Sequence, residues 1–211
     1  ENIEDNKKII GELEERTRLL QLSVASIVLN DQKNTYTDAL LRAIKVLAKT
    51  VEAPSGISYN QLGEGIRYYP LEIILYTIFL CGVAANRGDL LMKVLGMPMK
   101  DRRRSVIAPI TNTLYYSYPA RAFFNHAYGQ RWCEPLPMRI RQLINDRIGE
   151  MLIDTTEPEF FFRGEFVMAL SNIDLGIEKG EDADHLVPVP GLYLYMHEAH
   201  DAISGLLAEP P

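Results

Sequence analysis

A chain of 211 residues with 47% hydrophobic composition can bury one substantial core, or two small ones, without external staples. Its net charge of −6 argues against a general affinity for nucleic acid or anionic membranes, since those partners select a basic face. Two cysteines argue against a disulfide framework: Cys81 lies in an apolar run and Cys133 follows Trp132, so both read as small buried hydrophobes suited to a reducing cytoplasm.

The chain opens without a charged and then apolar leader, so no secretory signal is read. It begins at Glu1, without methionine and inside a helical pattern, and the expectation is a piece of a longer polypeptide. From Ile3 onward, Ile10, Leu13, Thr17, Leu20, Val24 and Ile27 recur at spacings of three and four, with Glu12, Glu14, Glu15, Arg16 and Arg18 on the other faces. This heptad stripe makes Leu13, Leu20, Val24 and Ile27 the candidate interaction residues, whether the partner is another helix of the chain or a second subunit. Asn30-Asp31-Gln32-Lys33-Asn34 ends the helix. Thr35 or Thr37 can cap the next, whose inward face is Leu40, Ala43, Ile44, Leu47 and Val51.

Ala53-Pro54-Ser55-Gly56 breaks the pattern, and Gly63-Glu64-Gly65 without a preceding strand reads as a turn rather than a phosphate loop. The organising stretch follows, from Tyr68 to Leu95. Leu71 to Ala85 carries one charge, Glu72, and a segment apolar on every side must be surrounded by the rest of the molecule. Fifteen residues would reach roughly 22 Å, short of the about 30 Å of a bilayer core, so this is a buried core helix and not a membrane span. Pro70 fits its first turn, and Asn86-Arg87-Gly88-Asp89 turns the chain into a second, amphipathic arm. Glu72 is expected to reach solvent near the helix start or to pair with an arginine such as Arg67; if it does neither, the central position of this helix is in question.

Gly96-Met97-Pro98 closes the hairpin. Lys100-Asp101-Arg102-Arg103-Arg104 is the one dense basic run, and Arg102, Arg103 and Arg104 form the candidate nucleic-acid patch because Tyr115, Tyr116, Tyr118, Phe123 and Phe124 follow closely and aromatic faces stack on bases. The plainer reading is a solvated loop or helix start followed by aromatics that belong to the core. Glu134-Pro135-Leu136-Pro137 opens a helix with Leu136, Ile140, Leu143, Ile144, Ile148 and Met151 inward and Arg139, Arg141, Asp146 and Arg147 outward or marginal. Thr156-Glu157-Pro158-Glu159 is a capping box ahead of Phe160, Phe161, Phe162, Phe166, Val167 and Leu170. Gly176 to Asp184 reads as a flexible connection, Pro188-Val189-Pro190-Gly191 as an extended turn, and Leu192 to Leu207 as a last helix. Strand-like alternation is scarce and no internal repeat is evident.

The chemistry-bearing candidates are few. His197 and His200, three apart in His197-Glu198-Ala199-His200-Asp201, can share a helix face and present nitrogens to a metal, with Asp201, Asp184 or His185 as a third ligand. The spacing is one residue short of the zinc-protease pattern, and an ordinary polar helix face is the stronger reading. Glu159 and Glu165 flank Arg163, which suits salt bridges rather than paired acid–base work. No nucleophile elbow and no cofactor-binding motif is present, so no catalytic residue and no cofactor is assigned.

Three segments together resemble a helical region found at the C-terminal end of large bacterial proteins, many of them associated with antiphage defence: Tyr69-Pro70-Leu71 through Gly82-Val83-Ala84-Ala85, then Arg131-Trp132-Cys133-Glu134-Pro135-Leu136, then Glu159-Phe160-Phe161-Phe162-Arg163-Gly164-Glu165-Phe166. The similarity spans roughly residues 66–195 and departs from the pattern at Gly164. It implies that a covalently linked effector domain accompanies this segment in the whole protein, that the segment itself senses, regulates or oligomerises, and that there are no family catalytic residues to carry over.

The sequence therefore predicts an all-α, irregular multi-helix bundle around a buried central hairpin at about 71–95. A single domain over 1–211 is expected, with an N-terminal helical hairpin at 1–52 and a helical core at 66–207. The expected function is non-catalytic, cytoplasmic and exerted through a protein partner or self-association. Metal-dependent hydrolysis at His197/His200 and nucleic-acid binding at Arg102–Arg104 are the alternatives.

Overall fold

The computed structural model describes residues 3–51, 66–101, 106–110, 118–128 and 135–152. Within them the chain forms an all-α multi-helix bundle: α1 (Ile3–Asn30), α2 (Thr37–Val51), α3 (Tyr69–Ala84), α4 (Gly88–Leu95), α5 (Tyr118–Tyr128) and α6 (Pro135–Ile148), the last followed by a 3-10 turn at Gly149–Met151. One small feature departs from the expected architecture. Pro98–Asp101 and Val106–Pro109 pair as an antiparallel β-hairpin, β1 and β2, with Pro98 opposite Pro109 and Asp101 opposite Val106. The expected solvated loop or helix start at 100–104 is thus, at its first two residues, a strand. Four-residue strands closed at one end by prolines are too short to display an alternation.

The hairpin α3–α4 is the centre of the bundle, as the apolar run predicts. Thirteen of the sixteen residues of α3 are buried, so no face of it is left for solvent. Each fully buried Leu, Ile or Phe there contributes roughly 1.5–3 kcal/mol over leaving it exposed, which is why this helix, and not a better-capped one, sits in the middle. Pro70 occupies the first turn. The other end closes in a Schellman arrangement, with Arg87 N–H donating to the Gly82 carbonyl (2.8 Å) and Asn86 N–H to that of Val83 (3.1 Å). Asn86 adopts φ 53°, the left-handed conformation that asparagine tolerates better than most side chains. Gly82 lets α4 fold back closely, since a Cβ there would sit 2.5 Å from a terminal methyl of Leu91. Leu90, Leu91, Val94 and Leu95 then seal α4 against the core.

Helix α1 packs along α3 and also reaches α5 and α6. Its buried residues are Asn6, Ile10, Glu14, Thr17, Gln21, Val24, Ala25 and Val28. The heptad stripe read from sequence is therefore rotated: Ile10, Thr17 and Val24 are inside as expected, but the companion row is Glu14, Gln21 and Val28 instead of Leu13, Leu20 and Ile27. Those three are half-buried at the margin of the core. Helix α2 buries Thr37, Leu40, Ile44, Ala48 and Val51, close to its predicted face. In α6 Leu136, Ile140, Leu143, Ile144 and Ile148 are inward as predicted, while Met151 is exposed and Leu152 takes the inward place. The helix ends at Ile148, and the tighter 3-10 turn advances the chain out of register with the α-helical spacing. Among the described residues, no helix is long and apolar enough to cross a membrane.

Candidate functional site

Three buried polar residues of α1, Asn6, Glu14 and Gln21, are each matched by a side chain from the facing helices, and together they make a polar seam through an otherwise apolar bundle. Glu14 is its centre. It accepts the Tyr69 hydroxyl of α3 at 2.8 Å, and Arg139 of α6 clasps it with Nε to Oε1 at 2.8 Å and Nη2 to Oε2 at 2.6 Å. This two-pronged geometry fits a planar guanidinium to a carboxylate, and the Glu14 side chain is only 4% exposed, so water competes weakly for it. The hydrogen bond to Glu14 is the first cause raising the Arg139 pKa. Burial, then the negative charge of Glu14, pushes the Tyr69 hydroxyl well above its ordinary range, so it stays a donor.

About two turns toward each end the pattern repeats with neutral side chains of α1. Gln21 donates from Nε2 to Thr77 Oγ1 of α3 (3.1 Å) and accepts Arg147 Nη1 of α6 (3.0 Å). Asn6 Nδ2 donates to His126 Nδ1 of α5 (3.0 Å), and Lys7 lies over the Tyr128 ring at 5.9 Å. Phe124 ties α5 to the seam from below, edge-on to Tyr69 at 4.7 Å and stacked on Tyr128 at 5.8 Å.

A second polar node joins the two turns of the bundle. The buried Arg87 sends Nη1 to the carbonyls of Ile27 (3.3 Å) and Val28 (3.1 Å) in the last turn of α1, and Nη2 to Asn34 and Thr37 at the start of α2. A cation at a helix C-terminus meets the negative end of the helix dipole as well as unpaired carbonyls. Asn34, at φ 58°, is the second left-handed residue, and Asp31 holds the intervening turn by accepting the Thr35 and Tyr36 N–H groups at 2.8 and 2.7 Å.

Glu72 departs from expectation. It neither reaches solvent nor pairs with Arg67, which donates instead to the Thr50 carbonyl at the end of α2 (2.9 Å). Glu72 is 2% exposed and neither carboxylate oxygen has a hydrogen-bond partner. The central position of α3 nevertheless holds, because the carboxyl takes a proton: burial pushes its pKa up to about 8. Burial likewise pushes the Cys81 thiol up to about 12, which leaves it an inert core residue as read from sequence.

Of the residues singled out in the sequence, Val24 lies in the core, and Leu13, Leu20 and Ile27 flank it. Phe123 and Phe124 are buried, as expected of core aromatics. Arg139 and Arg147 are half-buried at the margin of α6, where they reach Glu14 and Gln21. Arg102, Arg103 and Arg104, the His197, His200 and Asp201 cluster with Asp184 and His185, Tyr115, Tyr116, Trp132 and Cys133 lie outside the described residues, as do the Ala53–Gly65 break, the capping box at Thr156 and the helices expected after it. Among the described residues no group of three or more His, Cys, Asp or Glu is placed to hold a metal ion. The seam itself escaped the sequence reading, although Glu14 and Gln21 stand seven apart on the row next to the apolar one. Comparison with protein-family models, with curated proteins and with solved structures found no match.

Proposed function

We propose that this chain is a non-catalytic helical module that senses, regulates or oligomerises within a larger bacterial defence or regulatory protein, and that it acts through protein–protein contact. The observation carrying this reading is the way the seam spends its polar groups. Glu14, Tyr69, Arg139, Gln21, Thr77 and Arg147 bind one another across three helices, which suits fixing one packing of the bundle rather than receiving a substrate. A bundle so fixed presents rigid outer faces, and α1, α2 and the turn between them leave Ile9, Leu19, Tyr36 and Val46 exposed. The resemblance of the Tyr69–Ala85, Arg131–Leu136 and Glu159–Phe166 segments supports the defence setting.

The test is made in the full-length polypeptide. Deleting the bundle is expected to abolish protection of cells against phage, or to release the activity of the linked effector from control, while the effector's chemistry survives in vitro. Protection and control that are both unchanged by the deletion would overturn the reading.

A further inference from the structure

The outward side of α1 carries a pattern that is self-complementary when reversed. Ile9, Glu12, Arg16 and Leu19 follow one another at spacings of three, four and three, so they form one stripe along the helix. All four are exposed, Leu19 at 78%, and they lie away from the buried row of Glu14 and Gln21. Read forward the stripe is apolar, acidic, basic, apolar. Read backward, as a two-fold-related copy would present it, it is apolar, basic, acidic, apolar.

We propose that α1 pairs with α1 of a second copy of this chain, antiparallel about a two-fold axis at the level of Glu14, with Ile9 opposite Leu19 and Glu12 opposite Arg16. The proposal rests on the protein-interaction reading above and names its partner. Symmetry makes every contact occur twice, so four residues supply two apolar contacts and two ion pairs. Three-four-three spacing is that of a coiled-coil seam. Glu12 and Arg16 already stand 3.9 Å apart within one helix, so the two copies would close a ring of four alternating charges. Charge also selects the direction, because a parallel pair in register sets Glu12 against Glu12 and Arg16 against Arg16. Leu13, half-buried on one margin, falls close to the axis and extends the apolar contact toward its own mate. On the other margin Glu15 is paired with Arg18 of its own helix at 3.5 Å, which tempers its repulsion from the second copy.

One helix face per copy is a small interface, below the about 800 Å² per partner of a stable complex, so the isolated chains associate weakly and gain most when a larger assembly holds copies together. Sedimentation equilibrium of the 211-residue chain, from about 10 µM to about 1 mM, is expected to show a monomer–dimer equilibrium that Leu19→Asp weakens by roughly tenfold or more. Glu12→Arg weakens it by roughly tenfold, and the double change Glu12→Arg with Arg16→Glu restores it to within about threefold. Because these side chains point to solvent, circular dichroism of each variant should match the parent. Direction is read separately: an oxidised mixture of Ile9→Cys and Leu19→Cys proteins should yield the mixed disulfide dimer in preference to either like pair. A chain that stays monomeric at the highest concentration overturns the proposal. So does a dimer indifferent to Leu19→Asp, or a charge reversal that the double variant does not rescue. Any of these results combined with lost phage protection on deleting the bundle leaves the interaction module standing, with a different surface.

Discussion

Helices α1 and α3 lie against one another, yet they are buried by opposite means. Helix α3 is apolar nearly all round and would be satisfied by any dry surroundings, whereas α1 brings Asn6, Glu14 and Gln21 into the interior and needs a particular partner for each. The first arrangement supplies stability without specifying rotation or register. The second specifies both, since moving α1 by one residue would strand a carboxylate, an amide and two arginines away from their acceptors and donors. The contrast is sharpest in two glutamates. Glu14 is buried and fully engaged, and Glu72 is buried and engaged by nothing.

The largest effect should come from breaking the engaged one. Glu14→Ala leaves Arg139 without its carboxylate and the Tyr69 hydroxyl without its acceptor, and is expected to cost about 3–5 kcal/mol in denaturant unfolding. Glu14→Leu with Arg139→Met should recover most of that loss, because removing both partners removes the desolvation cost too. A double variant as unstable as the single one would mean that the pair itself, not the stranded arginine, carries the energy. Next comes Arg87→Ala, which uncaps the last turn of α1 and removes the donor to Asn34 and Thr37, which keep only their bond to each other at 3.2 Å, for an expected loss of about 2–3 kcal/mol. A lysine at 87 should recover little, since one ammonium cannot span two carbonyls and two side chains.

Glu72 predicts a change of the opposite sign. Its pKa rises from 4.5 to about 8 on folding, so the folded chain holds a proton that the unfolded chain releases. Below about pH 4.5 both states are protonated and there is no penalty; as pH rises toward 8 stability falls by about 1.4 kcal/mol per unit from this group, then levels off. Glu72→Met should therefore stabilise the protein most near pH 8, and the gap from the parent should shrink as pH falls. A gap independent of pH would show that Glu72 does not titrate between these limits. The smallest effect in the series is that of Gln21→Ala, about 1–2 kcal/mol, because its partners Thr77 and Arg147 are less costly to leave alone: Thr77 keeps its bond to the Ile73 carbonyl at 2.8 Å.

The same contrast explains what the amino-acid sequence reveals. Tyr69–Ala84 is legible because apolarity on every side admits one interpretation, and its flanking Pro70 and Asn86 mark where it starts and stops. Helix α1 is legible as a helix but not in its orientation. Hydrophobic periodicity assumes that polar residues face water, so it chose Leu13, Leu20 and Ile27 over Glu14, Gln21 and Val28. The partners that make Glu14 and Gln21 interior residues are 55 to 126 positions away in the chain, and no local pattern carries that information. Arg139 and Arg147 sit at the margin, as read, but nothing in the sequence names Glu14 and Gln21 as their partners. Strands β1 and β2 depend on pairing with each other, and the short stretch of either one alone has no signature.

Arg87 gives the bundle an unequal stiffness. It locks the C-terminal end of α1 and the start of α2 to the turn between α3 and α4 with four hydrogen bonds, while the polar contacts of the N-terminal part of α1 are fewer, Asn6 to His126 and Lys7 over Tyr128. Helix α1 spans 28 residues, or about 42 Å, so it is a lever with its pivot at Arg87. A rotation of about 1° at the pivot moves the far tip by roughly 0.7 Å, enough to lengthen the Asn6 bond beyond use while leaving the arginine's own bonds unchanged.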